Sequence, residues 1–242
     1  MERILPDGSM SLIINLREDR VRAYKRETHG ECGSLRGSLI AGAYSEFSII
    51  DTKCQESTLG VHFRPGGASA FFRLPACELR NQDAGLEEFW GVEAFHLREQ
   101  LLQAETPEIK FRVMEKYLFE HFEDPSARHS AVRFALREFQ LVPHARTVAE
   151  VTNQIGLSPK RFIQRFNDEV GLTPKLFCRV RRFQQVLKMI GDGRVDWAAV
   201  AASCGYFDQA HFIHDFQSFS GLNPTTYVAR RGEYYNHVPL GD

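Results

Sequence analysis

The last third of the chain carries one pattern twice, in different words, about 50 residues apart. The first copy reads Val148-Ala-Glu-Val-Thr-Asn-Gln-Ile-Gly156-Leu-Ser-Pro-Lys-Arg-Phe162-Ile-Gln-Arg-Phe166, then Gly171-Leu-Thr-Pro174. The second reads Trp197-Ala-Ala-Val-Ala-Ala-Ser-Cys-Gly205-Tyr-Phe-Asp-Gln-Ala-His-Phe212-Ile-His-Asp-Phe216, then Gly221-Leu-Asn-Pro224. Gly156 maps to Gly205 at an offset of 49, whereas Phe162, Phe166, Gly171 and Pro174 map to their counterparts at an offset of 50. The turn of the second copy is therefore one residue longer.

Each copy spells helix, sharp turn, helix. Val148, Val151 and Ile155 recur at helical spacing, and Gly156 supplies the permissive backbone that a sharp turn requires. Ser158 is a good N-cap and Pro159 suits the first helical position, so a new helix starts there and runs to Val170, where Gly171 stops it. At about 100° per residue, Phe162, Phe166 and Val170 share one face while Lys160, Arg161, Gln164 and Asp168 fall opposite. In the second copy Asp208 takes the cap position. Phe212, Phe216 and Phe219 form the packing face, and Ala210, His211, His214 and Ser218 point away. A phenylalanine stripe at i and i+4 reads as core. A single helix-turn-helix also occurs in proteins that never touch DNA; duplication, with the cations and amides on one outward face, favours two units that enter two major grooves. Because the outward faces differ chemically, the two units should read different bases.

At these residues the chain resembles bacterial transcription regulators of the AraC/XylS type. The resemblance covers residues 127–236 and rests on Gly-Leu-Ser-Pro, Phe-x-x-x-Phe and Gly-Leu-Thr-Pro, then Gly-Tyr-x-Asp-Gln-x-His-Phe and Gly-Leu-Asn-Pro. It implies an all-α module of seven helices, in which two helix-turn-helix units joined by a long central helix place both recognition helices in successive grooves on one face of the duplex. Residues 158–170 and 208–219 would be those helices. The implied DNA contacts are Ser158, Lys160, Arg161, Gln164 and Arg165 in one groove and Asp208, Gln209, Ala210, His211 and His214 in the next. Where the family often has an arginine, this chain has Gln164 and His214, which disfavours the guanine that a bidentate arginine reads best. Protonation of His211 or His214 beside phosphates would add a donor and a positive charge. As a pair at i and i+3 they are also a possible, less favoured, metal pair.

Between the copies, Leu176, Phe177, Val180, Phe183, Val186, Leu187 and Ile190 fall at helical spacing after Pro174. A helix of roughly 17 residues spans about 25 Å, on the scale of one DNA turn of about 34 Å. Its arginines read either as a solvated face or as phosphate contacts. Register usually comes from such contacts, which favours Arg179 and Arg182 as anchors.

Charge divides in the same direction. The whole chain carries a net −1, but residues 1–142 hold 18 basic and 22 acidic side chains and the remainder 12 and 9. Non-specific DNA affinity should be moderate, leaving more to base readout and dimerisation. With 242 residues, 43% of them hydrophobic, two domains are expected. We place the boundary at Glu123-Asp124-Pro125-Ser126, giving residues 1–125 and 126–236. Neither an apolar run near 18 residues nor a basic start followed by an apolar stretch is present, which points to a cytoplasmic protein without membrane span or signal peptide. Five cysteines, with spacings of 22 and 23 between Cys32, Cys54 and Cys77, read as reduced and mostly buried.

The first 85 residues read as β-rich, so the chain as a whole is α+β. Residues 11–16, 21–24, 38–43, 46–50, 58–64 and 70–74 are short runs of β formers separated by Gly, Asp and Pro, which suggests a sandwich or barrel. Val61-His-Phe-Arg-Pro-Gly-Gly-Ala68, followed by Phe71-Phe72, resembles the small cupin-like sensor domain that precedes AraC modules in one branch, over residues 2–92. Catalytic cupins converge two imidazoles and a carboxylate on a metal, whereas His29, His62 and His96 are isolated, so no metal, cofactor or catalytic residue is expected. The domain reads either as an organic-ligand pocket, with His62, Arg64, Gly66 and Gly67 as its speculative lining, or as a structural and dimerising element; the glycine pair is an anion cradle or only a turn.

Residues 86–121 follow a helical pattern and should pack on the β domain and offer a dimer surface. The tail from Gly232 carries no recognisable signal. The reading is a regulator of transcription, with double-stranded DNA as partner, a small-molecule effector, RNA polymerase if it activates, and a homodimer as a possible form. The alternatives are a DNA-repair enzyme, which would need an N-terminal zinc-cysteine cluster, and a small-molecule-converting cupin enzyme carrying the module.

Overall fold

The computed structural model describes residues 1–123, 130–141, 146–191 and 195–241. The β-rich part contains β1 (Glu2–Ile4), β2 (Ser11–Asn15), β3 (Val21–Tyr24), β4 (Glu31–Leu35), β5 (Ser38–Ala41), β6 (Ser48–Ile50), β7 (Thr58–His62) and β8 (Asp83–Gly85). One antiparallel sheet has the order β7-β2-β5-β8. Its register sets Leu12 opposite Ile40 and Ile13 opposite Leu39. The period of two then sends Leu12, Ile14 and Ile40, all at 0% exposure, into the core. Ser11, Ile13, Leu39 and Ala41 take the other face and line a cavity, whose opposite wall is the β3–β4 hairpin and β6.

Five of the six expected strands form. The run at 70–74 does not: Ala68–Ala70 and Ala76–Leu79 are short 3-10 turns. The aromatic pair between them is used for packing, with Phe72 stacked on Trp90 at 5.6 Å and Phe63 edge-on to Phe72 at 5.9 Å. Strands β1, β4 and β8 escaped the sequence reading because each is short or polar, as in Glu-Cys-Gly-Ser-Leu of β4.

Helices α1 (Glu87–Trp90), α2 (Val92–Gln103) and α3 (Pro107–Glu120) follow. Leu97, Leu101, Met114 and Tyr117 face inward, whereas Phe95, Leu102, Phe111 and Phe119 are exposed. Then come the seven helices implied by the resemblance: α4 (Ser130–Leu141), α5 (Val148–Ile155), α6 (Pro159–Val170), α7 (Pro174–Met189), α8 (Trp197–Ser203), α9 (Gln209–Ser220) and α10 (Pro224–Arg230). Thr147, Ser158, Thr173, Asp196, Asp208 and Asn223 cap the last six through their side chains.

The expected boundary between residues 125 and 126 lies outside the described residues. Across it the two halves share one continuous apolar cluster, from Leu12 and Phe63 through Phe166 and Phe177 to Tyr227 and Val238. Gly221, at a φ of 67°, lets the end of α9 meet the ring of Phe47, with which a Cβ there would collide. The tail, read as signal-free, folds back as β9 (His237–Pro239) and pairs with β1, completing a sheet β6-β1-β9. Three residues show no usable period, and their partner lies at the other end of the chain. Gln184 of α7, 2% exposed, donates through Nε2 to Pro6 O at 2.8 Å and Asn236 Oδ1 at 2.9 Å. One buried amide thus ties the central helix to both chain ends. Gln184→Leu, which leaves both acceptors without this donor, is expected to lower the unfolding free energy by about 1–3 kcal/mol, read by urea denaturation.

Candidate nucleic-acid interface

The first unit is built from its caps inward. Thr147 and Glu150 form a reciprocal capping box on α5, and Gly156 turns the chain at a φ of 71°. Ser158 accepts from Arg161 N–H at 3.4 Å, with Pro159 next to it. Phe162 and Phe166 are fully buried, and Phe166 meets Phe139, Phe162 and Phe177 edge-on with centroids 6.0, 5.8 and 5.6 Å away. That packing fixes the rotation of α6 and leaves Lys160, Arg161, Gln164 and Arg165 exposed together on its N-terminal half. Asp168 departs from the expected outward face: it accepts from Cys77 Sγ at 3.5 Å, because the last turn of α6 packs on the 3-10 turn at residues 76–79. Gly66, at a φ of 74°, lies against Leu136 of α4 and Val170 of α6.

In the second unit Asp208 accepts from His211 N–H at 2.7 Å and starts α9. Phe212, Phe216 and Phe219 are buried, the last two against Phe183 of α7 at 5.2 and 5.3 Å. Gln209, Ala210 and His214 are exposed, while His211 is half-exposed with its ring against Tyr206 at 5.3 Å.

Sequence reasoning missed Asp215, which is 1% exposed on the same helix. Its carboxylate receives Arg179 Nη2 at 2.6 Å and Nε at 3.2 Å, and lies 3.8 Å from His211 Nε2 and 4.0 Å from His214 Nδ1. The Arg179 guanidinium also lies over the Phe219 ring at 5.3 Å. Arg182, one turn on, donates to Gly205 O at 3.1 Å and covers the Tyr206 ring at 4.9 Å. Both arginines, read from sequence as a solvated face or as phosphate contacts, are turned onto the second unit and brace it against α7. A helical wheel of α7 cannot show this, since the acid and the carbonyl that claim them come from α9 and from the turn before it.

Of the four residues offered as a ligand site, only His62 reaches the cavity, which has a volume of about 880 Å³. Its Nε2 lies 3.0 Å from Asp7 Oδ2 and its Nδ1 2.9 Å from Ser11 Oγ. The Asp7 hydrogen bond raises the His62 pKa against a smaller cost of burial. Burial alone would raise Asp7, but the His62 bond, the Ser9 N–H and the nearby charges hold it below its ordinary value. Arg64 is exposed beyond the strand end, and Gly66 and Gly67 make the turn that meets the helices, not an anion cradle in the cavity. At the cavity's other side Tyr44 Oη donates to Asp83 Oδ1 at 2.9 Å, and desolvation lifts Asp83 to about 6.

Among the described residues no three His, Cys, Asp or Glu side chains group as a metal set would, and no helix is long and apolar enough to cross a membrane. All five cysteines are free, but only Cys178 and Cys204 are buried; Cys32 is exposed and Cys54 and Cys77 are half-buried, so the expectation of mostly buried thiols fails. Arg179→Ala would strand the Asp215 carboxylate in the core and is expected to cost about 3 kcal/mol, measured by thermal melts, while the salt slope of DNA binding stays as in the wild type.

Residues 151–230 match the model of a helix-turn-helix domain, and residues 1–85 match that of a domain of unknown function (DUF6597). A curated relative, the probable transcriptional regulator LumQ of Photobacterium leiognathi, is 27% identical over 81 residues. That match takes in 34% of this chain, and the chain spans about a third of the relative, 33% of its length. Among solved structures, the DNA-binding domain of the global transcriptional factor AdpA in complex with a target DNA is 18% identical, with a TM-score of 0.38, over 41% of this chain and 90% of that one. ToxT from Vibrio cholerae O395 is 8% identical with a TM-score of 0.46, over 95% of this chain and 93% of that one. The chain thus carries a helix-turn-helix domain at residues 151–230, preceded by a domain of the DUF6597 type at residues 1–85.

Proposed function

We propose that this protein is a sequence-specific DNA-binding transcription regulator, not an enzyme, in which a ligand cavity in the β-rich half biases a two-groove reading head. The observation that carries the reading is the pair of helix-turn-helix units fastened to opposite ends of α7, each with the polar, exposed N-terminal half of its second helix turned away from the core. Lys160, Arg161 and Arg165 bring positive charge to the first groove, and Gln164 reads a base edge there. Helix α9 has no lysine or arginine, so Gln209, His211 and His214 supply hydrogen bonds with little phosphate attraction, and Ala210 leaves room for a base methyl. Ser158 and Asp208 act mainly as caps that fix where each helix begins. Arg179 and Arg182 orient the second unit.

The cavity size lies in the range of small organic ligands. His62 with Asp7, Tyr44 with Asp83, and Arg26 with Glu46 are paired around it, so an uncharged or weakly polar ligand enters without breaking a pair. Its wall at Pro6 and Asn236 is bonded to Gln184, which gives a ligand there a direct hold on α7. The exposed apolar side chains of α2 and α3 suit a homodimer contact, and RNA polymerase would be the partner of an activating form.

The test is a footprint of the full chain on a site selected from random DNA. A monomer should protect two dissimilar half-sites about 10 base pairs apart, and protection of one groove alone, or of a palindrome, would overturn the reading. Gln164→Ala should cost about 1–3 kcal/mol on the selected site with little loss on random DNA.

A further inference from the structure

Phe207 is the residue that makes the second turn longer. In the first unit Gly156 is followed by Leu157, packed against the core, and then by the cap Ser158; in the second, Gly205 is followed by Tyr206, Phe207 and the cap Asp208. Tyr206 takes the inward place, 6% exposed beneath the Arg182 guanidinium. The added phenylalanine points out and is 92% exposed, the most of any large hydrophobic side chain among the described residues. Scattered surface hydrophobics are ordinary. This one, however, is held one residue ahead of an N-cap, between an anchored tyrosine and the Asp208 bond to His211 N–H. It therefore sits at the N-terminal end of α9, the end that meets base edges when such a helix enters a major groove.

We propose that Phe207 is a specificity-determining residue that packs its ring on the C5-methyl group of a thymine in the half-site of the second unit. The inference rests on the DNA-binding reading above. The chemistry fits the place: α9 offers only neutral or weakly basic polar groups to the groove, and the methyl is the one apolar feature a base pair presents there. Discrimination by this contact adds no charge and hence no salt dependence.

The experiment uses the full chain and a site selected from random DNA, in which each thymine of the half-site unaffected by Gln164→Ala is replaced singly by uracil. Uracil keeps every hydrogen-bonding group and removes only the methyl. One such replacement should weaken the wild type about fourfold, the worth of one buried methyl. Phe207→Ala should be weakened by the same factor on the thymine site and lose its response to that one replacement, with an unchanged melting temperature. Tolerance of uracil at every position, absence of thymine from that half-site, or a Phe207→Ala chain as sensitive as the wild type would overturn the assignment. Unchanged DNA affinity with lost transcription activation would also overturn it and give Phe207 to a protein partner. Failure to enrich any site would instead bring down the DNA reading itself.

Discussion

Helix α7 is the member on which the rest of the molecule is hung. Near its start Phe177 packs edge-on to Phe166 of α6, and two turns later Phe183 packs on Phe216 and Phe219 of α9. Aromatic pairs of this kind add about 0.5–1.5 kcal/mol each beyond the area they bury, and they prefer particular angles. They therefore fix the rotation of α6 and of α9 about their own axes as well as their distance from α7. Rotation decides which side chains point outward, so the make-up of each exposed helix face follows from a core contact.

Electrostatics refine what packing sets. Asp215 is a buried acid on a helix whose outer face carries two histidines, and it is tolerable there because Arg179 reaches it with two nitrogens from α7. The same carboxylate stands about 4 Å from both imidazoles, so its charge lies directly beneath the exposed face of α9. The two units thus differ in kind: the first presents cations, the second presents amide and imidazole groups over a braced acid.

The β-rich half is no loosely tethered neighbour of this head. Gly66, Gly171 and Gly221 are points where its backbone or side chains come so close to the helices that a Cβ would have to displace something. Gln184 and strand β9 then tie α7 and the tail to β1 and the loop after it. Pro6 and Asn236 also line the cavity, so its wall is joined to α7 through the two hydrogen bonds of Gln184.

The sequence by itself determined the local grammar of the helical half. Caps, turn glycines and phenylalanines at i and i+4 act over a few residues, and α6, α7 and α9 begin and end within a residue of where those signals place them. The runs of β formers that become β2 and β7 were legible for the same reason. Contacts between distant segments were not. Nothing near Arg179 shows that an acid 36 residues away would claim it, and nothing in His-Val-Pro shows that it would pair with Glu-Arg-Ile at the other end of the chain. The Pro-Gly-Gly turn read as a turn or a cradle, and only the arrival of α4 and α6 against Gly66 made it a joint between the halves. Local backbone preference is written residue by residue, whereas the partner of a buried charge or an edge strand is decided by which surfaces the packed core brings together.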